Sequence, residues 1–235
     1  MRLDEWLVQT QYFSSRSKAN RFIRNIGVII NEKLVKKPAY KVKLHDHVNI
    51  EESALQTFTK PLGYVKMKWL SSNPHFPPIN LQDKCLDIGA SAGGFSLYLL
   101  EQNVHSVLAI EISPDFKPFL EEIQNKFPNK FSYWIKDFFK ITSNSFPCLF
   151  NLITADLTLD PYFLLEKLEL FTSLLQPSSI QARLLLTIKT GKITNFKDVL
   201  VKIEQNVDDL CTDISLKWLE SLPDKQEQFL LLLKS

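Results

Sequence analysis

The sequence predicts a mainly parallel α/β sheet with helices on both faces, preceded by a small α+β unit. First, seven short apolar runs lie between residues 84 and 234, and helical stretches separate the first five. Strands connected in this way form βαβ units with parallel pairing. Second, 235 residues at 45% hydrophobic content suffice for one large core and a small one. Third, the charge differs between the two parts of the chain.

Positive charge is concentrated at the N-terminus. Residues 1–50 contain ten Lys or Arg against four Asp or Glu, a net charge of +6, whereas the rest of the chain carries −4 of the total +2. This asymmetry predicts that one module binds a polyanion while the other has a different task.

Several classes of protein are excluded by composition. No apolar run reaches the roughly 18 to 20 residues that span a bilayer, and the N-terminal segment is too charged for a signal peptide. We therefore expect no membrane partner and a cytoplasmic location. The three cysteines are far apart and the histidines do not cluster, so no disulfide and no metal site are predicted. The oligomeric state stays open.

The N-terminal elements follow from local patterns. Apolar residues at i, i+3 and i+4 predict a helix from Leu3 to Gln9. Ser14 or Ser15 is a good N-cap for a second, basic helix, which Gly27 ends.

Short strands are expected next, at Val28–Ile30, Leu34–Val35 and Val48–Ile50. Residues 51–62 show no periodicity, so we predict domains at 1–52 and 63–235 joined by a linker at 53–62.

This N-terminal unit resembles the S-four-type RNA-binding domain, named after the fourth small-subunit ribosomal protein. The matching residues are Arg2-Leu3-Asp4, Leu7, Ser15-Arg16, Ala19, Ile23, Gly27, Val28, Asn31, Val35, Lys37-Pro38, Val42, Asp46 and Ile50. Glu32 stands where that family usually has Gly, so we expect a hairpin turn of another type. The resemblance implies that structured RNA lies on the basic residues Arg2, Arg16, Lys18, Arg21, Arg24, Lys36 and Lys37.

The elements of the second part alternate. Strands are expected at the apolar runs CLDI, SVLAIEI, FSYWI, LFNLITA, ARLLLTI, DISLKWL and FLLLLK. Helices are expected at Gly94–Gln102, Pro114–Lys126, Tyr162–Leu175 and Asn195–Asn206. The last two runs have no helix between them, which predicts an antiparallel hairpin that closes the sheet.

A glycine-rich turn follows the first of these strands. Asp87 lies two positions before the first Gly of a G-x-x-x-G-G loop that leads into a helix, and the predicted cofactor contacts here are Gly89, Ser91, Gly93, Gly94 and Phe95. An acid at this position repels a pyrophosphate but suits a cationic ligand, which favours S-adenosylmethionine over a dinucleotide. Glu111 ends the second strand, placed for ribose hydroxyls, and Asp137 ends the third, placed for the adenine amino group.

Polar residues at other strand ends are candidates for catalysis. Asp156 and Lys189 end neighbouring runs, Glu227 precedes the last run, and Lys66 lies ahead of the sheet. Lysines that lie close together in a dry cleft have a lowered pKa, so we expect them to promote loss of a hydroxyl proton while a carboxylate orients the hydroxyl.

These four residues resemble the Lys-Asp-Lys-Glu tetrad of the FtsJ-like RNA ribose 2′-O-methyltransferases, with Lys189 followed by Gly191. Together with the N-terminal unit, the chain resembles the hemolysin A (TlyA) family. The resemblance implies a Rossmann-like, S-adenosylmethionine-dependent methyltransferase fold with a seven-stranded sheet. It also implies methylation of ribosomal RNA, with Asp156 near the cofactor as well as the substrate.

Alternatives remain at this point. Lys68 competes with Lys66, and Glu220 competes with Glu227. Asp160-Pro161-Tyr162 is similar to the signature of amino-group methyltransferases, although it is read more simply as a helix N-cap with Pro in the first turn. A binding or assembly factor with a degenerate methyltransferase body is the non-enzymatic alternative.

Overall fold

The computed structural model describes residues 1–176, 182–190, 198, 201–203, 205, 214–220 and 226–234. The chain forms two compact units, Met1–Lys60 and Pro61–Ser235. Each unit has its own hydrophobic core.

The first unit is a small α+β structure. Its elements are α1 (Leu3–Gln9), α2 (Arg16–Asn25), β1 (Val28–Ile30), β2 (Lys33–Val35), β3 (Val48–Asn49) and α3 (Glu52–Thr59). The strands form an antiparallel sheet in the order β2-β1-β3. Ser15 caps α2, because its side chain accepts the backbone N–H of Lys18 at 3.4 Å. Gly27, at φ +100°, follows the end of α2 in a conformation that disfavours residues with a Cβ.

The segment predicted as a linker forms helix α3 instead. Leu55 and Phe58 pack against the core of the first unit, and the Phe58 ring lies edge-on to Phe13 and Phe22, with centroids 5.9 and 5.1 Å apart. The prediction failed because two apolar contacts in a single short segment were too few to register as periodicity.

The turn between β1 and β2 also differs from the prediction. Asn31 and Glu32 both have positive φ, 47° and 65°, and they connect the paired residues Ile30 and Lys33. Two loop residues with positive φ are the signature of a type I′ hairpin. The turn therefore keeps the type that favours Gly, and Glu32 adopts a conformation that an L side chain disfavours.

The second unit is a seven-stranded sheet in the order β6-β5-β4-β7-β8-β10-β9. Its strands are β4 (Lys84–Ile88), β5 (Ser106–Glu111), β6 (Phe131–Ile135), β7 (Leu152–Ala155), β8 (Ala182–Lys189), β9 (Ile214–Leu219) and β10 (Glu227–Lys234). Its helices are α4 (Leu62–Ser71), α5 (Gly94–Glu101), α6 (Lys117–Lys126), α7 (Pro161–Glu166) and α8 (Leu168–Ser173).

Pairing in this sheet confirms the predicted fold class. Strands β4 to β8 pair in parallel, whereas β10 runs antiparallel to both β8 and β9. Alternate side chains of the strands enter two cores, one on each face. Helices α7 and α8 contribute to one core, and α4, α5 and α6 contribute to the other.

One predicted helix of the second unit is divided in two, and another lies largely outside the described residues. The helix expected over Tyr162–Leu175 is divided into α7 and α8 at Lys167, whose N–H bonds to Leu164 three residues back in a tighter turn than an α-helix. The helix expected at Asn195–Asn206 falls largely outside the described residues, as do Gly191 and Cys211.

Candidate active site

A cavity of about 390 Å³ opens at the carboxyl edge of the sheet, where β4, β7 and β8 end. This volume lies in the usual range of small-molecule sites. The lining residues are Pro61, Leu62, Gly63, Lys66, Asp87, Gly89, Ala90, Ser91, Ala92, Gly94, Phe95, Asp156, Thr158 and Lys189. The cavity thus brings the glycine-rich loop and three of the four candidate catalytic residues together.

Four charged side chains form a closed ring beside this cavity. Lys66 Nζ donates to Asp156 Oδ2 at 2.7 Å and to Glu227 Oε2 at 3.0 Å. Lys189 Nζ donates to Asp156 Oδ1 at 2.6 Å and to Glu227 Oε2 at 2.7 Å. Helix α4 supplies Lys66, strands β8 and β10 supply Lys189 and Glu227, and Asp156 directly follows β7. Positive and negative charges alternate around the ring, so each ammonium group lies between two carboxylates.

The carboxylates of the ring reverse the direction of the pKa shift predicted for Lys189. Burial disfavours the ammonium form of Lys189, but the hydrogen bonds to Asp156 and Glu227 outweigh it and raise the pKa of Lys189. Burial likewise opposes ionisation of Asp156, yet the charges of Lys66 and Lys189 hold the pKa of Asp156 below its usual value. Lys189 is therefore held as an ammonium group, and the lowered lysine pKa expected from the sequence is wrong for this residue.

Burial separates the alternative candidates. The side chain of Lys66 is 6% exposed, whereas Lys68 on the same helix points to solvent. Glu227 is 6% exposed within the ring, whereas Glu220 is exposed. Helical and strand geometry thus brings Lys66 and Glu227 into the ring, and it leaves Lys68 and Glu220 outside.

Steric contacts explain the glycines of the loop. A Cβ on Gly89, at φ +75°, would lie 2.6 Å from Leu157 Cδ2. A Cβ on Gly93, at φ +71°, would lie 2.3 Å from Ile123 Cδ1 of α6. Gly93 therefore permits a helix to pack, and unlike Gly89 and Gly94 it is not among the residues that line the cavity.

Four acids were predicted to bind the cofactor, and two of them, Asp87 and Asp156, line the cavity. Asp87 is 1% exposed and no cation bonds to it among the described residues. A buried carboxylate without a cation at the wall of the cavity fits a positively charged ligand.

Glu111 and Asp137 lie outside the lining of the cavity. Glu111 accepts the backbone N–H groups of Ser91 at 2.7 Å and Ser113 at 2.8 Å, so it ties the glycine-rich loop to the end of β5. Asp137 caps a 3₁₀ turn by accepting the N–H of Phe139 at 3.1 Å. Their proposed contacts with ribose and adenine are therefore additional to the roles that these carboxylates have in the fold.

Sequence reasoning missed other parts of the cavity wall. The start of α4, at Pro61, Leu62 and Gly63, lines it, as does Thr158. Ser96 and Thr154 bond to Asp87, although neither residue carries a motif signal. The proximity of Gly63 to Gly94 is visible only in three dimensions, because 31 positions separate them in the sequence.

Asp160 acts as a helix N-cap. Its Oδ1 accepts the backbone N–H of Tyr162 at 2.9 Å, and Pro161 begins α7. This agrees with the simpler interpretation of the Asp160-Pro161-Tyr162 run.

Basic side chains of the first unit fall into two groups. Arg2 and Arg16 both bond to Asp4, a carboxylate with a fully buried side chain, at 3.0 and 3.1 Å. The hydrogen bond from Arg2 opposes the effect of burial, and with Arg16 it holds the pKa of Asp4 far below its usual value. These two arginines therefore stabilise the fold of the unit, whatever else they contact.

The remaining predicted RNA-contacting residues project into solvent. Lys18, Arg21, Arg24, Lys36 and Lys37 are all exposed, and the Arg21 guanidinium lies 4.9 Å from the centre of the Phe58 ring. Within the described part of the chain, no helix is long and apolar enough to cross a membrane, and no group of residues could hold a metal ion.

Comparisons with known proteins agree with this architecture. The FtsJ-like methyltransferase family model matches residues 62–218, and the S4 domain model matches residues 1–48. Hemolysin A of Brachyspira hyodysenteriae is 33% identical over 115 residues, which are 48% of this chain and 45% of that protein. The chain thus matches less than half the length of this relative.

Two solved structures share the fold. "Putative hemolysin from Streptococcus thermophilus" superposes with a TM-score of 0.58 at 16% identity, covering 100% of this chain and 88% of the other. Aeropyrum pernix fibrillarin, in complex with natively bound S-adenosyl-L-methionine, superposes with a TM-score of 0.56 at 12% identity, covering 72% and 75%. Since the family model spans well over half of the sequence, the chain belongs to the FtsJ-like methyltransferase family.

Proposed function

We propose that this protein is an S-adenosylmethionine-dependent RNA methyltransferase that modifies a ribose 2′-hydroxyl, with ribosomal RNA as the substrate. The observation that carries the proposal is the ring of Lys66, Asp156, Lys189 and Glu227 at the wall of the cavity. Such a ring suits a weakly acidic alcohol, because loss of its proton creates negative charge that ammonium groups stabilise.

The cavity has the chemistry that this cofactor requires. Asp87 is a buried carboxylate in its wall, and the two lysines of the ring are neutralised by Asp156 and Glu227. A sulfonium and an ammonium group thus meet net negative charge, whereas a pyrophosphate would be repelled. When bound, S-adenosylmethionine supplies an electrophilic methyl group that needs no further activation.

The ring residues would divide the work among them. Asp156 accepts a hydrogen bond from the 2′-hydroxyl and orients its oxygen. Lys189, held as an ammonium group by its two carboxylate partners, stabilises negative charge on that oxygen as its proton passes along the hydrogen bond to the Asp156 carboxylate. Lys66 and Glu227 are more deeply buried and keep the other two side chains in place. Positioning and electrostatics then account for most of the rate acceleration.

The first unit would bind the RNA. The proposed contacts are the exposed cations Lys18, Arg21, Arg24, Lys36 and Lys37, with Arg2 and Arg16 beside them. Basic side chains on one small domain bind the phosphate backbone without reading its sequence.

A matched pair of lysine variants tests this function. We expect Lys189→Ala to lower methyl transfer about 10³-fold, because charge stabilisation at the oxygen is lost. Lys66→Ala should also lower it, because Asp156 then loses the buried partner that holds it in place. S-adenosylmethionine affinity, measured by calorimetry, should change only a few-fold. Lys68→Ala, on the exposed side of α4, is the control and should retain activity.

The product identifies the acceptor. Mass spectrometry of nucleosides from ribosomal RNA, made in cells with and without the gene, should reveal one missing 2′-O-methyl nucleoside. A missing base-methylated nucleoside would instead indicate amino-group methylation. Cofactor binding without any methyl transfer would indicate a binding factor, and full activity of Lys189→Ala would discard the proposed role of the ring.

A further inference from the structure

The carboxylate of Asp87 is held by two hydroxyl-bearing residues that have no role in the ring. Asp87 Oδ2 accepts the backbone N–H of Ser96 at 3.0 Å and its hydroxyl at 2.6 Å. Asp87 Oδ1 accepts the hydroxyl of Thr154 at 3.0 Å. Asp87, Ser96 and Thr154 are each no more than 1% exposed. Neutral donors from α5 and β7 thus hold both carboxylate oxygens.

The surroundings of Asp87 supply no compensating charge directly. The charged groups on neighbouring elements are Asp156 directly after β7, Glu111 of β5, Lys66 of α4 and Lys189 of β8. Both lysines bond to Asp156, and Glu111 bonds to backbone N–H groups. In α5 the sole ionisable carboxylate is Glu101, at the end away from the glycine-rich loop.

The hydroxyl donors therefore oppose the effect of burial on the charge state of this carboxylate. Burial raises the pKa of Asp87 to about 6, while the hydrogen bonds from Ser96 and Thr154 lower it, and the charge of Asp156 adds to the rise. Each lost donor would move the pKa closer to neutrality, because a hydrogen bond to a carboxylate favours its ionised form.

We propose that Thr154 and Ser96 are positioning residues that keep Asp87 ionised and oriented toward the cationic end of the cofactor. This inference rests on the proposed function, since it assumes that S-adenosylmethionine occupies the cavity. The roles of the two residues differ in one respect. Ser96 also donates through its backbone, so its side chain supplies one bond of two, whereas Thr154 supplies its only bond to Asp87 through the hydroxyl.

Thr154→Val removes the hydroxyl while keeping the shape of the side chain. S-adenosylmethionine affinity of the full-length protein would be measured by calorimetry from pH 5.5 to 7.5. For the native protein we expect affinity to fall below about pH 6, where Asp87 becomes protonated. In Thr154→Val the fall should begin about one pH unit higher, which makes binding roughly five-fold weaker at pH 6 and within about two-fold at pH 7.5.

Controls separate the charge state of Asp87 from general damage to the fold. Thr154→Ser retains a hydroxyl and should restore the native pH profile. Thr187→Val removes a hydroxyl of β8 that is 1% exposed and has no hydrogen-bond partner in the described residues, so it should leave the profile unchanged. Ser96→Ala provides a second test, with a smaller shift in the same direction, if Thr154→Val does not fold.

The outcomes distinguish this inference from the proposed function. If the native protein binds S-adenosylmethionine and both Thr154→Val and Ser96→Ala follow the Thr187→Val profile, only the positioning role is overturned. Equal weakening at every pH would also overturn it, because a structural defect does not move the pH midpoint. If the native protein does not bind the cofactor at any pH tested, the proposed function fails and the positioning role fails with it.

Discussion

Two ionic clusters, one around Asp4 in the first unit and one beside the cavity in the second, are built in opposite ways. In the first unit, one fully buried carboxylate, Asp4, receives Arg2 and Arg16, whose side chains are 42% and 53% exposed. In the second unit, two carboxylates and two lysines alternate in a ring. In the first cluster the acid is buried and the cations are exposed. In the ring a cation is buried as well, because the side chain of Lys66 is 6% exposed.

The two arrangements suit different tasks: the Asp4 cluster stabilises a fold, whereas the ring is suited to a reaction. Around Asp4 the charged groups that reach solvent are hydrated, so the network stabilises the helices at little cost. In the ring the ammonium groups remain partly desolvated at the wall of a cavity, where their charge acts strongly on a substrate atom. The cations of the ring are therefore placed to act on a bound substrate, whereas Arg2 and Arg16 stabilise the fold through Asp4.

The largest expected effect is on the stability of the first unit, when its buried carboxylate is removed. Asp4→Ala removes the shared acceptor of Arg2, Arg16 and Asn20, and should lower the free energy of unfolding by about 3 kcal/mol. Since the pKa of Asp4 is far below its usual value in the fold, its contribution is complete at neutral pH, begins to decline as the pH falls below about 4 and is lost only at much lower pH. Denaturant unfolding of the full chain at pH 7 and pH 3 measures both quantities.

Asp46→Ala is the control for that variant. Asp46 accepts bonds from Asn31 and the backbone of Lys43 in an exposed loop, so we expect this variant to lower the free energy of unfolding far less than Asp4→Ala does. Equal losses for Asp4→Ala and Asp46→Ala would contradict the special role of the buried cluster.

An intermediate effect is expected for RNA binding by the first unit. Arg24→Gln and Lys37→Gln each remove an exposed cation, and each should reduce the slope of log affinity against log salt by roughly 0.7 to 0.9. Arg16→Gln should in addition destabilise the unit, because Arg16 bonds to Asp4. The slope is measured by filter binding at salt concentrations from about 50 to about 300 mM. Slopes that match the native protein would move the RNA surface elsewhere.

The smallest effect concerns strain outside both clusters. Glu32→Gly should raise the free energy of unfolding by about 0.5 to 1 kcal/mol, because φ +65° is unfavourable for a residue with a Cβ. Asn31→Gly, at φ +47°, should change it less, since Asn tolerates this region. Thermal unfolding measures the stability of both variants. If Glu32→Gly is less stable than the native protein, the Glu32 side chain contributes more stability than its backbone strain costs.

Much of the fold could be predicted because each strand of the large sheet is long enough to form a recognisable apolar run in the sequence. Each of the seven apolar runs became a strand, and the ends of β7 and β8 placed Asp156 and Lys189 together. Parallel strands guarantee a shared edge, so residues that end such strands converge whatever lies between them.

What could not be predicted depended on burial and contact. Lys66 and Lys68 differ only in which side of α4 they occupy, and no spacing rule reveals that the partner of Lys66 lies 161 positions away at Glu227. The charge state of Lys189 was mispredicted because its carboxylate partners, rather than a neighbouring lysine, dominate its surroundings. Helix α3 was missed because tertiary packing, more than its own sequence, supports it.

The contact between Gly63 and Gly94 has a consequence for how the reactants align. A Cβ on Gly94 would lie 2.6 Å from the backbone nitrogen of Tyr64, so the first turns of α4 and α5 touch backbone to backbone. This close packing fixes the spacing of the two turns, one of which leads to Lys66 while the other begins at the glycine-rich loop. A ligand seated on that loop consequently meets the first lysine in fixed register, and this alignment is inherited from folding rather than acquired during each turnover.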